Sequence, residues 1–260
     1  MASRQRIVSL APSVTSILWA IGARRDVVGV SKWCGEVAPI GRLPQVGDCW
    51  AADEKPIAKL RPTLLIGSVP FKPETMIRLL TIGAPLLAMN PRSLDDIYAD
   101  IEMLGRITGH GAAAALESKK MRSSLRATGT KRQAGAGTRE ARRPRVYCEA
   151  WPNPRISSPP WVAELVALAG GTPALPAGQR VTDEQVAAAR PDLIVLAWTA
   201  TGAKADPRRA LHNPAWRDVP AVRRRRVLVI SDELLNTPGP ILVQGTRELA
   251  RAIRAAEQSP

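Results

Sequence analysis

The fold of this chain is decided by residues 6–30, RIVSLAPSVTSILWAIGARRDVVGV. The segment 6–10 is short and rich in β-branched side chains, which predicts a buried strand. Ser13 is a good N-cap, and apolar residues then recur at helical spacing until Gly22. Residues 26–30 predict a second strand. Since a strand–helix–strand order favours a parallel pair, the sequence predicts an α/β fold.

The same kind of unit returns in the second half of the chain. Residues 59–66 (KLRPTLLI) resemble residues 189–195 (ARPDLIV), and each predicts a short helix, an Arg-Pro turn and a buried strand. We therefore predict two Rossmann-like α/β lobes, over residues 1–108 and 144–260, joined by a single long linking helix. The join, residues 109–143, contains the linking helix, predicted over residues 112–125, and ends in a basic stretch, residues 128–143, that predicts a solvated loop. Ligands bind beyond the carboxyl ends of strands in open sheets, so we expect a ligand cleft between the lobes.

The composition excludes several kinds of site. The chain has 260 residues, with only 2 histidines and 3 cysteines. Two histidines exclude a three-histidine metal site, and Cys34, Cys49 and Cys148 lack the CxxC spacing of a thiolate zinc site. No apolar run reaches the ~20 residues of a membrane span. There is no Ser-His-Asp set, no phosphate-cradling glycine loop and no paired carboxylates, so we expect no catalysis, no metal and no cofactor.

The net charge of +14 has two interpretations, a solvated basic surface and a nucleic-acid-binding surface. Basic residues cluster in the join and again at residues 223–226. No aromatic side chains interleave with those of the join, as they would in an RNA-binding module. We therefore expect no nucleic-acid partner and no membrane insertion.

The amino-terminal residues are relevant to whether the protein resides in the cytoplasm or the periplasm. Residues 1–6 are basic and run directly into the first strand, without the 7–15-residue apolar segment of a secretory signal. Two interpretations stay open: a cytoplasmic protein, or a periplasmic protein whose signal lies upstream of Met1.

A set of motifs recurs in order from residue 6 to residue 251. They are RIVSLAPSVT at 6–15, VVGVS at 27–31 with WC at 33–34, LPQVG at 43–47, LRPTLL at 60–65, WVAEL at 161–165 with AGG at 169–171, VTDEQ at 181–185 and PGP at 238–240. Each motif is weak alone, but the ordered set resembles the helical-backbone (class III) substrate-binding proteins of ABC importers. The Trp-Cys pair and EAWPNP at 149–154 are similar to the cobalamin-binding branch.

The sequence departs from the family pattern in three places. Ser16 and Thr63 stand where the family often has Glu and Asp, and TPGPI at 237–241 lacks the two arginines of the family motif. The missing arginines argue against a strongly anionic ligand such as a siderophore complex.

The resemblance implies binding of a corrinoid such as cobalamin and no catalysis. A corrinoid needs broad apolar walls and few charges, which indole side chains provide. Residues 31–53 show no periodicity and predict a long functional loop that holds two tryptophans. Cys34 is expected to be a small buried residue. The predicted ligand contacts are five tryptophans in loops or near strand ends and one amide after the last strand: Trp33, Trp50, Trp151, Trp161, Trp198 and Asn236.

The resemblance also implies delivery to a dimeric ABC permease. Members of the family dock through one glutamate on each lobe, paired with basic residues of the permease. Glu184 matches the second-lobe position, and Glu54 is the best match in the first lobe, with Glu74 next. Each glutamate could instead interact with the dipole of its own helix. We expect a monomer.

Other ligands and roles stay open. A ferric siderophore or haem would use the same scaffold, but haem usually needs a His or Tyr axial ligand. His110 and Tyr98 both lie in the linking region, so haem ranks lower. A cytosolic protein that handles or senses corrinoids without a transporter is a further alternative.

Overall fold

The computed structural model describes residues 5–133 and 142–258. The chain divides into two compact units. Unit 1 comprises Met1–Lys120 with Pro238–Pro240, and unit 2 comprises Met121–Thr237 with Ile241–Pro260.

Unit 1 is built on a sheet in which neighbouring strands are parallel. Its strands are β1 (Ile7–Ser9), β2 (Val27–Ser31), β3 (Gln45–Val46), β4 (Leu64–Ser68) and β5 (Leu86–Met89). They lie in the order β3-β2-β1-β4-β5. The predicted parallel pairing of the first two strands is confirmed. The short strand β3 lies inside the stretch expected to be a loop.

Four helices of unit 1 connect these strands or follow them: α1 (Pro12–Ala20), α2 (Glu54–Lys59), α3 (Pro73–Leu80) and α4 (Leu94–Ile107). The prediction of Ser13 as N-cap of α1 is wrong. Ala11 holds the N-cap position and Pro12 begins the helix, where the missing amide hydrogen of proline costs nothing. Helix α4 begins with a capping box formed by Ser93 and Asp96.

A single helix, α5 (Gly111–Gln133), begins in unit 1 and ends in unit 2. It is longer than predicted, because the stretch from residue 128, expected to be a loop, is helical up to Gln133. A Cβ at Gly129 would lie 3.0 Å from the carbonyl oxygen of Leu168, so the glycine allows the helix to pack closely there. Residues 134–141 of the expected loop lie outside the described residues.

Unit 2 also contains a sheet, with strands β6 (Arg145–Pro152), β7 (Arg155–Ser157), β8 (Thr172–Pro173), β9 (Leu193–Leu196) and β10 (Val227–Val229). The order is β10-β9-β6-β7, and β8 also pairs with β6. The β6–β7 hairpin is antiparallel and the other pairs are parallel. The strand predicted after the second Arg-Pro turn is confirmed as β9, whereas the sequence pattern does not predict β7 or β8.

The helices of unit 2 after α5 are α6 (Pro160–Leu168), α7 (Asp183–Ala189), α8 (Arg208–Leu211), α9 (Pro220–Arg223), α10 (Glu233–Asn236) and α11 (Leu242–Gln258). Thr182 caps α7 in a capping box with Gln185. In both Arg-Pro turns the arginine is in the left-handed region, with φ of 46° at Arg61 and at Arg190. Within the described ranges, no helix has both the length and the apolar character that crossing a membrane requires. The two α/β lobes, whose sheets are parallel except for the β6–β7 pair, confirm the predicted fold class.

Each unit buries an apolar core against its sheet. In unit 1, Val8 and Leu65 pack with Ile57 of α2 and Leu79 of α3. In unit 2 the corresponding cluster joins two aromatic residues to side chains of β9 and α7: Tyr147, Trp216, Ile194, Leu196 and Val186. These cores fix the strands, and therefore the positions of the loops at their carboxyl ends.

Gly245 marks the close approach of α11 to α10. A Cβ at this position would overlap the carbonyl oxygen of Leu234. We expect Gly245→Ala to lower the free energy of unfolding by about 2–3 kcal/mol, because the backbone must move to accommodate the methyl group. The control is Gly111→Ala, where a Cβ meets open space. Urea denaturation measures both variants, and equal effects would contradict the close approach.

Asp100 on α4 is a partly buried carboxyl group whose burial raises its pKa to about 6, with the Asp96 carboxylate adding to the shift. The folded pKa lies above the unfolded value, so ionisation costs stability as the pH rises from about 4 to about 6. We expect Asp100→Asn to be more stable than the wild type at pH 7.5 by roughly 1–2 kcal/mol, a figure reduced because solvent partly screens the Asp100 charge. At pH 4 the substitution should give no such gain in stability. Urea denaturation at both pH values tests this, and an equal gain at both would refute it.

Candidate functional site

The carboxyl edge of the unit 1 sheet carries a loop that is organised by one carboxylate. Oδ2 of Asp48 accepts a hydrogen bond from the indole nitrogen of Trp33 at 2.9 Å. Its Oδ1 accepts from the backbone amides of Trp50 and Ala51, both at 3.0 Å. Asp48 therefore fixes the side chain of one tryptophan and the backbone of the other.

The two indoles of this loop present apolar surface. Trp50 is 56% exposed, and the ammonium group of Lys32 lies 4.6 Å from the ring centroid of Trp33. The Thr75 hydroxyl donates to the carbonyl oxygen of Trp50 at 2.9 Å and so ties the loop to α3. At Gly47, a Cβ would overlap the backbone of the next turn, so only glycine fits. An anchored aromatic ring loses little conformational freedom when it binds a ligand.

A buried hydroxyl and thiol cluster lies at the base of this loop. The Thr15 hydroxyl donates to Sγ of Cys34 at 3.0 Å, and the Ser31 hydroxyl lies 3.2 Å from the same sulfur. The hydroxyl groups of Ser9 and Thr15 are 2.7 Å apart. Burial raises the pKa of Cys34, so the thiol stays protonated. Cys34 is fully buried, as the sequence predicts.

Trp151 is the exposed indole of unit 2. It lies near the carboxyl end of β6, where that strand turns into the hairpin with β7, and it is 40% exposed. Its indole nitrogen donates to the carbonyl oxygen of Asn153 at 2.9 Å. The strand order reverses between β6 and β9, the position at which open α/β sheets bind ligands.

Trp161 and Trp198 are buried in unit 2. Trp198 is 6% exposed, and its indole nitrogen donates to Oε1 of Glu149 at 2.9 Å. Trp161 is 2% exposed, and its indole nitrogen donates to the carbonyl oxygen of Leu235 at 2.9 Å. Both indoles have packing roles here, and their contact with a ligand stays a prediction.

A buried ion pair lies beneath the carboxyl end of β6. Glu149 is 1% exposed and pairs with the Arg155 guanidinium. It also accepts from the Tyr147 hydroxyl at 2.9 Å. Arg155 reaches on to Asp183 at 2.8 Å and stacks over the Trp216 ring, 4.3 Å from its centroid. The Glu149 carboxylate therefore joins β6, β7 and Trp198, which follows β9, in one network.

Asn236 and Asp232 hold the loop that follows β9. Nδ2 of Asn236 donates to the carbonyl oxygen of Ala197 at 2.7 Å, while its Oδ1 is buried without a hydrogen-bond partner among the described residues. Asp232 accepts from the amides of Ala200 and Gly202 at 3.0 and 2.7 Å. Burial raises the pKa of Asp232. The Oδ1 of Asn236 is therefore a buried acceptor that no described donor satisfies.

The two predicted docking glutamates each begin a helix. Glu54 is the first residue of α2, and its carboxylate lies 3.5 Å from Nε of Arg78. Glu184 lies in the first turn of α7 and is exposed. A hydrogen bond from the Thr182 side chain lowers the pKa of Glu184, which keeps the carboxylate ionised.

Sequence reasoning missed the two carboxylates that organise the site. Asp48 lies in a stretch without periodicity, so the pattern carries no sign of its role. Glu149 had a usable signal, since it follows Val146, Tyr147 and Cys148 in an apolar strand and a buried carboxylate needs a partner. Among residues 5–133 and 142–258, no group of three His, Cys, Asp or Glu side chains is placed to hold a metal ion.

Comparison with known protein families shows which family this chain belongs to. The model described as "Periplasmic binding protein" matches residues 7–234. The chain belongs to the periplasmic binding protein family. The predicted resemblance to class III substrate-binding proteins is confirmed.

Two relatives cover most of this binding protein. The uncharacterized ABC transporter substrate-binding lipoprotein YvrC of Bacillus subtilis is 29% identical, over 96% of this chain and 80% of its own length. A cobalamin-binding protein of Halobacterium salinarum is 25% identical, over 95% of this chain and 69% of its own length.

Two solved structures share the fold of the binding protein. The periplasmic heme-binding protein RhuT from Roseiflexus sp. RS-1, in its apo form, has a TM-score of 0.82 and 25% identity, covering 98% of this chain and 100% of its own. The vitamin B12 binding protein BtuF of Vibrio cholerae has a TM-score of 0.76 and 21% identity, with 98% of each chain covered. These relatives bind different tetrapyrroles, so the fold alone does not select the ligand.

Proposed function

We propose that the protein binds a corrinoid, cobalamin or a close relative, and delivers it to an ABC permease in the periplasm. The observation that carries the proposal is the pair of exposed indoles at the carboxyl ends of strands, Trp50 at 56% and Trp151 at 40% exposure. Asp48 holds the backbone of Trp50, and a hydrogen bond holds the indole of Trp151. Broad apolar faces of this kind suit the flat ring of a corrin. A relative named as a cobalamin-binding protein supports the same ligand class.

The proposed contacts differ in what they offer the ligand. Trp33, Trp50 and Trp151 provide apolar surface, and the free Oδ1 of Asn236 accepts a hydrogen bond from an amide side chain of the corrin. Corrin contact with Trp161 and Trp198 would require the loops over them to open. The ligand occupies the cleft that the family resemblance implies.

Isothermal titration calorimetry with three ligands tests the ligand class. The wild-type protein should bind cyanocobalamin with one-to-one stoichiometry at roughly 50 μM, and bind haemin and a ferric hydroxamate siderophore at least ten-fold more weakly. Heat from the siderophore but none from cyanocobalamin would reject the corrinoid.

The loop tryptophans test the binding surface. Trp33→Ala and Trp50→Ala should each weaken cyanocobalamin binding about ten-fold or more, as buried aromatic anchors do. The control is Leu116→Ala on α5, a residue that is 68% exposed and lies on a helix instead of the sheet edge. Unchanged affinity in both tryptophan variants would show that the ligand binds elsewhere.

Haem is the second candidate, favoured by the heme-binding protein RhuT as a structural neighbour. Tyr98 and Tyr147 are 5% and 1% exposed, so neither offers its hydroxyl to an iron without movement. Nδ1 of His110 lies 2.8 Å from the carbonyl oxygen of Thr108. His212 is exposed and is therefore the imidazole to test. A haemin Soret shift that His212→Ala abolishes would favour haem over a corrinoid.

Variants of the docking glutamates test delivery to the transporter independently of ligand binding. We expect the double variant Glu54→Ala, Glu184→Ala to keep the cyanocobalamin affinity of the wild type and to lose stimulation of the partner transporter's ATPase by about ten-fold. The exposed Asp206 provides the control variant, Asp206→Ala. If the double variant stimulated the ATPase as fully as the wild type, neither glutamate would belong to the docking surface. The protein acts as a monomer in this proposal.

A cytosolic corrinoid-handling protein is the alternative role. Fractionation of the native host with an antibody to the protein tests it. Recovery in the cytoplasmic fraction would support that role and would reject delivery to an importer.

A further inference from the structure

A groove in unit 2 lies between α5 and α11 and has a volume of about 330 Å³. The polar side chains that line it are three arginines from α11 and three hydroxyl-bearing residues from α5: Arg247, Arg251, Arg254, Ser123, Ser124 and Thr128. Among the described residues that line the groove there is no carboxylate. The groove is therefore a concave surface with one sign of charge.

The three arginines share one face of α11. Their spacing, four residues and then three, places them above one another on consecutive turns. The buried face of the same helix includes Leu249 and Ile253, which anchor it in the unit. At ~1.5 Å of rise per residue, the arginines span about 10 Å along the helix axis. That span exceeds the size of a single phosphate group and suits two or more phosphates in a row.

The guanidinium charges have no partner within the described part of the chain. None of the ion pairs between described side chains involves Arg247, Arg251 or Arg254. Three like charges held on consecutive turns repel one another, and a bound anion would relieve that repulsion. Guanidinium groups bind phosphate oxygens in pairs of parallel hydrogen bonds, and serine or threonine hydroxyls can donate to the same oxygens.

We propose that this groove is a binding site for a phosphate-bearing anion, separate from the ligand site at the sheet edges. The phosphates come from a free oligophosphate or from the headgroups of an anionic lipid surface, and the chemistry of recognition is the same in both cases. The proposal does not depend on the identity of the transported ligand.

The first arm of the test titrates inorganic pyrophosphate into the full-length protein by calorimetry at low ionic strength. We expect saturable binding that is at least ten-fold tighter than binding of inorganic phosphate. Arg251→Gln with Arg254→Gln should weaken it at least ten-fold. The control is Arg223→Gln with Arg224→Gln, which removes the same charge from exposed positions of the same unit. Ser123→Glu, which adds a carboxylate to the groove and leaves every arginine in place, should weaken binding to a similar extent.

The second arm measures sedimentation with vesicles of phosphatidylglycerol or phosphatidylcholine. The groove variant is Arg251→Gln with Arg254→Gln. If it fails to bind phosphatidylglycerol vesicles while the wild type and the control variant bind them, the anion is a lipid headgroup. Pyrophosphate binding without vesicle binding assigns it to a free oligophosphate. The proposal is overturned if the wild type binds neither pyrophosphate nor phosphatidylglycerol, or if the control variant loses as much affinity as the groove variant.

Discussion

Replacing Glu149 by alanine should lower the free energy of unfolding by about 3–5 kcal/mol, the typical cost of removing one partner of a buried ion pair. The Arg155 side chain is 17% exposed and, among the described residues, would keep Asp183 as its one carboxylate partner. The Tyr147 hydroxyl and the Trp198 indole would also lose their acceptor. Each unpaired buried donor adds roughly 1–3 kcal/mol to the cost, although such terms overlap.

Two further variants sharpen this prediction. Glu149→Gln keeps one acceptor oxygen and removes the charge, so its loss of stability should be smaller than that of Glu149→Ala. Asp218→Ala breaks an exposed pair whose side chains are 83% and 77% exposed, and it should change stability by less than about 1 kcal/mol. Urea denaturation followed by tryptophan fluorescence measures all three. If Glu149→Ala were no more destabilising than Asp218→Ala, the network would not hold the unit 2 site.

Replacing Asp48 by alanine should weaken cyanocobalamin binding at least ten-fold, or about 1.4 kcal/mol. The substitution frees the Trp33 indole and removes the acceptor for the amides of Trp50 and Ala51. A loop that must be ordered on binding costs affinity, even when its aromatic side chains are unchanged. Calorimetric titration of the variant against the wild type measures the effect.

Asp53 offers a matched control at the end of the same loop. Its side chain accepts from the Lys55 amide and caps α2, whereas the Trp33 indole and the Trp50 amide donate to Asp48. Asp53→Ala should cost about 1 kcal/mol of stability and leave cyanocobalamin affinity unchanged. An affinity loss in Asp53→Ala as large as that in Asp48→Ala would mean that general loosening of the loop, and not the Asp48 contacts, sets the affinity.

The fold was predictable because its signals are local. The β-branched segment at Ile7–Ser9 and the two Arg-Pro turns predict buried strands from a few neighbouring residues. The two-residue strands Gln45–Val46 and Thr172–Pro173 carry no such pattern, because their pairing is set by strands distant in sequence. Helix α5 runs past Gly129, a poor helix former, because that glycine packs closely against the Leu168 carbonyl.

The site was predictable only in part. The positions of five tryptophans in loops or near strand ends predicted an indole-lined site, and Trp50 and Trp151 are the exposed examples. Sequence position could not separate these from Trp161 and Trp198, whose indole nitrogens find acceptors at Leu235 and Glu149, far along the chain. Burial of a tryptophan depends on such distant acceptors, which no local pattern encodes.

The most direct test of ligand and site together is cobalt anomalous diffraction from crystals grown with cyanocobalamin. Our account predicts one strong cobalt peak per chain, with the corrin ring in contact with the indoles of Trp50 and Trp151. Crystals that hold no cobalt at saturating cyanocobalamin, or a cobalt peak whose corrin touches neither indole, would contradict it.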